Sequence, residues 1–221
     1  RHKLADYQED SSEYERLLEI FRKYDVRYFF YIGGNDSMDT CNKVSKYLKS
    51  VGYLCRVIGV PKTIDNDLVG TDHCPGYGSA AKFIATTCAE LRQDTQVYQT
   101  PTVNIVEIMG RHAGWLAGAS ALADVTGQGP DLVYLPERNF DMEQFLNDVT
   151  RSVKNTGHCL VAVSEGIHYA DGSYINDVKT AAADGFGHIQ LGGLAAYLAD
   201  IVKQRLGYKA RGIELSLLQR C

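Results

Sequence analysis

The sequence predicts an α/β fold, with parallel sheets covered on both faces by helices. Two observations predict it. Short apolar runs alternate along the chain with segments of helical spacing, and each run ends in glycines, carboxylates or arginines. There is no internal repeat, low-complexity tract or linker to interrupt that alternation.

The elements follow in order. Residues 27–32, RYFFYI, form a β-rich run that breaks at Gly33-Gly34. Residues 36–50 have helical spacing, with Met38, Cys41, Val44 and Leu48 on one face. A short strand covers 53–58, and 79–93 is helical with a stripe of Phe83, Ile84, Thr87, Cys88 and Leu91. An apolar run at 103–108 precedes a small-residue helix at 113–123 and a strand at 131–135. A helix over 141–154 leads to a strand at 158–163. A long helix from 188 to 206 carries Leu194, Leu198, Ile201 and Val202, and a last strand spans 211–218.

Composition narrows the function. The net charge is -4 and no Lys/Arg run occurs, so nothing supports a nucleic-acid surface. No apolar run approaches the roughly 18 residues that span a bilayer, and the opening RHKLADYQED has no signal-peptide core. The six cysteines, at 41, 55, 74, 88, 159 and 221, form no C-x-x-C pair and read as reduced thiols of a cytoplasmic protein. The histidines show no ligand spacing. The chain starts mid-pattern at Arg1 and stops at Cys221 straight after an apolar run, which predicts an internal segment of a longer protein.

In open α/β sheets, ligands bind outside the carboxyl ends of the strands. Here six strand ends carry GGNDS, PKTIDND, EIMGR, LPE, SEG and QRC, a set that suits one rim for a polar, anionic substrate. GGNDS, from Gly33 to Ser37, fits a backbone approaching a phosphate at a helix N-terminus, although a glycine pair before a cap is common. PKTIDND is more specific. Asp65 and Asp67 on one loop can divide labour, one taking a hydroxyl proton and the other holding Mg²⁺, while Lys62 meets a phosphate as a point charge. A solvated Asx-turn with an incidental lysine is the plain alternative. Arg111, after Gly110 at a strand end, can clamp a transferring phosphoryl group, and Glu165 can accept from sugar hydroxyls. Arg211 and Arg220 flank the last strand, too far apart for one pocket unless one of them serves a neighbouring subunit. Singly, each charge is as well explained by a surface ion pair.

In this order, GG-x-x-S, TIDND, MGR, SEG and QR resemble the phosphofructokinase family, and the likeness runs through the whole chain. The resemblance implies two Rossmann-like three-layer α/β/α domains with a substrate cleft between them, partly truncated at both ends. Residues 1–77 would be the C-terminal part of the phosphoryl-donor domain and 78–219 the fructose 6-phosphate domain; 220–221 would start the return to the first. It also implies phosphoryl transfer to the 1-hydroxyl of fructose 6-phosphate, with Mg²⁺. Asp65 would be the general base and Asp67 would support the metal and the developing charge. Thr63 would bond near the transferred group and Arg111 would stabilise it. The Met109 and Gly110 backbone would line the sugar pocket, Glu165 would bind its hydroxyls and Arg220 its 6-phosphate. Arg211 matches an arginine that crosses a subunit interface, which implies a homo-oligomer, dimer or tetramer, with a shared active site. Arg1, Gly34, Asp36 and Ser37 would contact the phosphate donor, and Asn35 with Asp36 the metal.

The donor is set by Lys62 and Asp36, which stand where ATP-using members have glycine; lysine and aspartate there, with GHIQLGG at 187–193, resemble the pyrophosphate-dependent branch. Asp36 adds bulk and negative charge where a nucleotide's α-phosphate must pass. Three positions depart from the family pattern: Asn35 for a metal-associated aspartate, Thr102 for a second cross-subunit arginine, and Leu217 for a histidine. The expected activity is therefore reversible, glycolytic transfer from pyrophosphate. An ATP-dependent enzyme and a catalytically silent regulatory subunit of the same fold are the alternatives. A dinucleotide-binding dehydrogenase ranks last, because no G-x-G-x-x-G joins a strand to a helix.

Overall fold

A computed structural model describes residues 4–175 and 193–221. The chain divides into two compact units, and the break falls between Thr63 and Ile64.

The first unit holds helix α1 (Ser12–Lys23), strand β1 (Tyr28–Gly33), helix α2 (Asn35–Ser50) and strand β2 (Arg56–Pro61). The strands are parallel, pairing Tyr28 with Arg56 through to Gly33 with Pro61. Tyr14, Leu18 and Phe21 recur at helical spacing in α1 and pack with Val44, Tyr47 and Leu48 of α2. Glu13 and Glu15 open α1 and Arg22 and Lys23 close it, each sign complementing the helix dipole. Phe29 and Val57 face this core, whereas the alternate residues Phe30 and Ile32 remain 59% and 67% exposed. Helix α1 is absent from the sequence expectation above.

The second unit holds helix α3 (Tyr77–Gln96), strand β3 (Thr102–Ile108), helix α4 (Trp115–Ala119), strand β4 (Leu132–Tyr134), helix α5 (Met142–Thr156), strand β5 (His158–Ser164), helix α6 (Leu194–Leu206) and strand β6 (Lys209–Glu214). Its sheet runs β4-β5-β3-β6, and every neighbouring pair is parallel. Strand β3 lies inside the sheet and is buried along its whole length. Its side chains alternate between two cores. Val103 and Ile105 join Phe145, Val149, Leu198 and Val202 of α5 and α6, while Val106 and Ile108 join Ile84, Cys88, Leu116 and Ala117 of α3 and α4. The result is a three-layer α/β/α unit. Asp141 caps α5 by accepting from the Gln144 amide at 2.7 Å. Gly212 lets β6 approach α6 closely, since a Cβ there would lie 2.4 Å from the Ala195 carbonyl carbon. No helix among the described residues is long and apolar enough to cross a membrane.

Three boundaries differ from the expectation. The last strand stops at Glu214, and Ser216–Arg220 form a 3-10 turn. The Leu215 amide bonds to the Glu107 carbonyl and β3 ends one residue later, so no paired strand remains to extend the ladder. The helix expected at 113–123 is α-helical only over Trp115–Ala119 and continues as a 3-10 helix from Ser120 to Thr126. The unit break falls earlier than residue 77, because Ile64 and Tyr77 pack against the α3–α4 core. Residues 188–192 of the expected long helix lie outside the described residues.

Candidate active site

In the first unit the site forms where β1 turns into α2. Gly33 ends the strand and Gly34 is the N-cap, so Asn35, Asp36 and Ser37 make up the first turn of a 16-residue helix. A Cβ on Gly33 would fall 2.0 Å from the Ser37 hydroxyl oxygen, so that position admits only glycine. Across the strand pair, the Lys62 amide donates to the Gly33 carbonyl at 2.7 Å. The lysine, which is exposed, is thereby held beside the glycine pair and the amino end of α2. Helix N–H groups and the dipole favour an anion at this helix end. Thr63 follows, half-buried. Arg1 and residues 187–192 lie outside the described residues.

In the second unit, Asn66 is buried between half-buried Asp65 and exposed Asp67. It adopts φ 60°, a left-handed conformation asparagine tolerates, and its Oδ1 accepts from the Cys74 amide at 2.9 Å. That bond closes the loop carrying the two carboxylates. Beyond β3, Met109, Gly110 and Arg111 make a strained turn. Gly110 has φ 144°, and a Cβ on it would sit 2.5 Å from the Ala113 carbonyl oxygen. Arg111 has φ 50°, unusual for a branched-free but bulky side chain, and lies exposed.

Glu165 holds this turn from the end of β5. Its Oε1 accepts from both the Gly110 and the Arg111 amides, at 3.1 Å each. Gly166 permits the approach, as a Cβ there would fall 1.6 Å from the Arg111 carbonyl oxygen. Burial raises the Glu165 carboxyl above its usual range. The two amide bonds and Arg111 pull it back, while the charge of Asp65 raises it further. Asp65, Arg111 and Glu165 are thus close enough to sense one another. Gln219 adds a second brace, its Oε1 accepting from the Met109 amide at 3.3 Å and its Nε2 donating to the Ser216 carbonyl.

The predicted residues are not all brought together. Arg220 follows Gln219 at the carboxyl rim, but Arg211 pairs with Asn104 in the first half of β3, nearer the opposite edge. There its guanidinium lies 5.4 Å from the Tyr98 ring centre, with the Lys209 ammonium at 4.0 Å. Sequence reasoning missed Gln219, Asn66 and Glu107 as organising residues. Gln219 stands in the QR pair and Asn66 between the aspartates, so both lay inside motifs already singled out. Among the described residues, no group of three or more His, Cys, Asp or Glu side chains is arranged to hold a metal ion.

Comparison with known proteins matches the phosphofructokinase family over residues 2–213. The chain is 52% identical, over 226 aligned positions, to a pyrophosphate--fructose 6-phosphate 1-phosphotransferase of Xanthomonas campestris, and 49% identical to one of Halomonas elongata. Each alignment takes in 100% of this chain and 53% of the relative. The chain therefore spans about half the length of the curated relatives it matches. A crystal structure of pyrophosphate-dependent phosphofructokinase from Nitrosospira multiformis superposes with a TM-score of 0.78 at 42% identity, covering 96% of this chain and 50% of that one.

Proposed function

Since this chain belongs to the phosphofructokinase family, we propose that the protein carrying it transfers a phosphoryl group from pyrophosphate to the 1-hydroxyl of fructose 6-phosphate. The reaction gives fructose 1,6-bisphosphate and phosphate and runs reversibly in cytoplasmic glycolysis, because the donor and product bonds are of similar energy. The observation that carries the donor assignment is the Lys62 amide bonded to Gly33, which supports a lysine serving a small polyphosphate at the amino end of α2. Asp36 in the first turn of that helix disfavours a bulkier nucleotide by size and charge.

Each residue then has a task. Asp65 takes the proton of the 1-hydroxyl as the oxygen attacks the terminal phosphorus, and Asp67 supports the developing charge. Lys62 meets the terminal phosphate of the donor, and Arg111 stabilises the transferring group, whose charge spreads in the transition state. Thr63, Gly34 and Ser37 bond to the donor, along with Arg1. Three peptide units separate Lys62 from Asp65, so their Cα atoms are within roughly 11 Å of each other whatever the arrangement of the units. Met109 and Gly110 line the sugar, Glu165 orients its hydroxyls and Arg220 binds its 6-phosphate. Arg211 reaches the 6-phosphate of a neighbouring subunit in a homo-oligomer, which accounts for its distance from the rim. Asn35 and Asp36, in the first turn of α2, would offer Mg²⁺ hard oxygen ligands alongside substrate phosphates and water, Asp67 would support the metal from its own loop, and the cation would neutralise donor charge.

The test is fructose 1,6-bisphosphate formation by the full-length protein with Mg²⁺, offering pyrophosphate or ATP at equal concentration. Turnover with pyrophosphate alone is expected, and Asp65→Ser should lower kcat by about 10²- to 10⁴-fold, the usual worth of a general base. Turnover with ATP alone would overturn the donor assignment and keep the chemistry. No turnover with either, in a protein that still binds fructose 6-phosphate, would mean a silent subunit.

A further inference from the structure

Glu107 has no part in the reaction as described, yet it is a carboxyl group only 2% exposed near the carboxyl end of a buried strand. Its Oε2 accepts from the Ala195 amide at 2.9 Å, at the amino end of α6. Its own carbonyl accepts from Leu215, where β6 leaves the sheet. Around it, Gly212 packs β6 directly onto the Ala195 backbone. Arg211 is the residue before Gly212, and Gln219, beyond Leu215, braces Met109. A single residue thus ties together the start of α6, by its side chain, and the end of β6, by its backbone carbonyl, on the strand that leads into Met109-Gly110-Arg111.

We propose that Glu107 is a positioning residue for the sugar-phosphate end of the site, its carboxyl group gripping the α6 amino terminus and so fixing β6, which carries Arg211, and the turn beyond it, which carries Arg220. The proposal rests on the function proposed above for the choice of ligand, though not for the grip itself. A charged carboxylate draws helix N–H groups and the positive end of the dipole more strongly than a neutral acid does. The titratable groups facing it are Glu214 of β6 and Glu165 beyond β5, and α6 has no acidic residue in its first turn. Burial, followed by these two charges, raises the acid to about 7, against the pull of the Ala195 and Leu194 amides. Burial outweighs that pull, so the closed arrangement holds the proton more tightly than an opened, solvated one, and the grip weakens as the pH rises through neutrality.

The experiment compares full-length wild type with Glu107→Gln, which keeps an oxygen for the Ala195 amide but no charge. Steady-state kinetics with pyrophosphate would be run from pH 6 to 8. The wild-type KM for fructose 6-phosphate should rise with rising pH by roughly three- to tenfold relative to the variant, with kcat moving in parallel in the two proteins. The ionisation of the substrate is common to both and cancels in that ratio. A KM ratio that is constant across the range would overturn the proposal. Amide hydrogen exchange at Ala195 reads the grip without catalysis. In the wild type, protection should decrease through pH 7 after correction for the intrinsic exchange rate, and unchanged protection would refute the grip. If wild type shows no turnover, the functional reading fails and the exchange profile alone decides; the wild-type profile also suffices if the variant does not fold.

Discussion

Arg111 spends backbone energy to present its guanidinium. A bulky side chain at φ 50° costs about 1–2 kcal/mol relative to glycine, and here the conformation is enforced by Glu165 and by contact with Gly166. Arg111→Gly should therefore melt no lower than wild type, while kcat falls by about 10²-fold or more through loss of the phosphoryl clamp. Calorimetry together with turnover would check this, and a clearly lower melting temperature would show that Arg111 is structural. The charges themselves were legible in the sequence: Lys62, Asp65, Arg111 and Glu165 each end a strand, where open α/β sheets put their chemistry. Their backbone partners were not. A carboxylate at a strand end reads the same whether it meets a sugar hydroxyl or two amides of a neighbouring turn, and Glu165 meets the amides.

At the scale of elements, the turn after β3 and the end of β5 act as one piece. Removing the Glu165 side chain strands the Gly110 and Arg111 amides, so Glu165→Ala should cost about 1–2 kcal/mol, whereas Glu165→Gln keeps the accepting oxygen and should cost well under 1. Chemical denaturation of the two variants decides it; equal losses would mean that the charge, and not the acceptor, holds the turn. Strand β5 was easy to find because residues 159–163 are a continuous apolar run, and β3 because Val103, Ile105, Val106 and Ile108 dominate it. Helix α1 was not found, although Tyr14, Leu18 and Phe21 recur at its period, because charged residues dominate the remaining positions. The end of β6 was overextended for a different reason. Leu215, Leu217 and Leu218 look like strand, but a strand lasts only as long as its neighbour, and β3 ends at Ile108.

For the molecule as a whole, Glu107 links stability to pH. Its folded value of about 7 lies above the unfolded value near 4.5, so the native state holds the proton more tightly. Its contribution is complete below about pH 4.5 and is lost as pH rises through 7, a fall of about 3 kcal/mol. Denaturant titrations at pH 5 and pH 8 should show that loss in wild type and a flatter profile in Glu107→Gln. A stability that rises over the same window in wild type but not in the variant would contradict the assigned sign. The alternation of strands and helices made the α/β class readable, but the division of the chain at Thr63 was not, since it depends on Ile64 reaching the core of the second unit. The order of strands in the two sheets also bears on synthesis. β1 and β2 are near neighbours in sequence, so the sheet of the first unit can close soon after both have left the ribosome. Strand β3 must wait for β6, because Thr102 pairs with Lys209. Until β6 has been made, one edge of a strand destined to be buried along its whole length has no partner, and that interval is when a chaperone, or a second nascent chain, would find it.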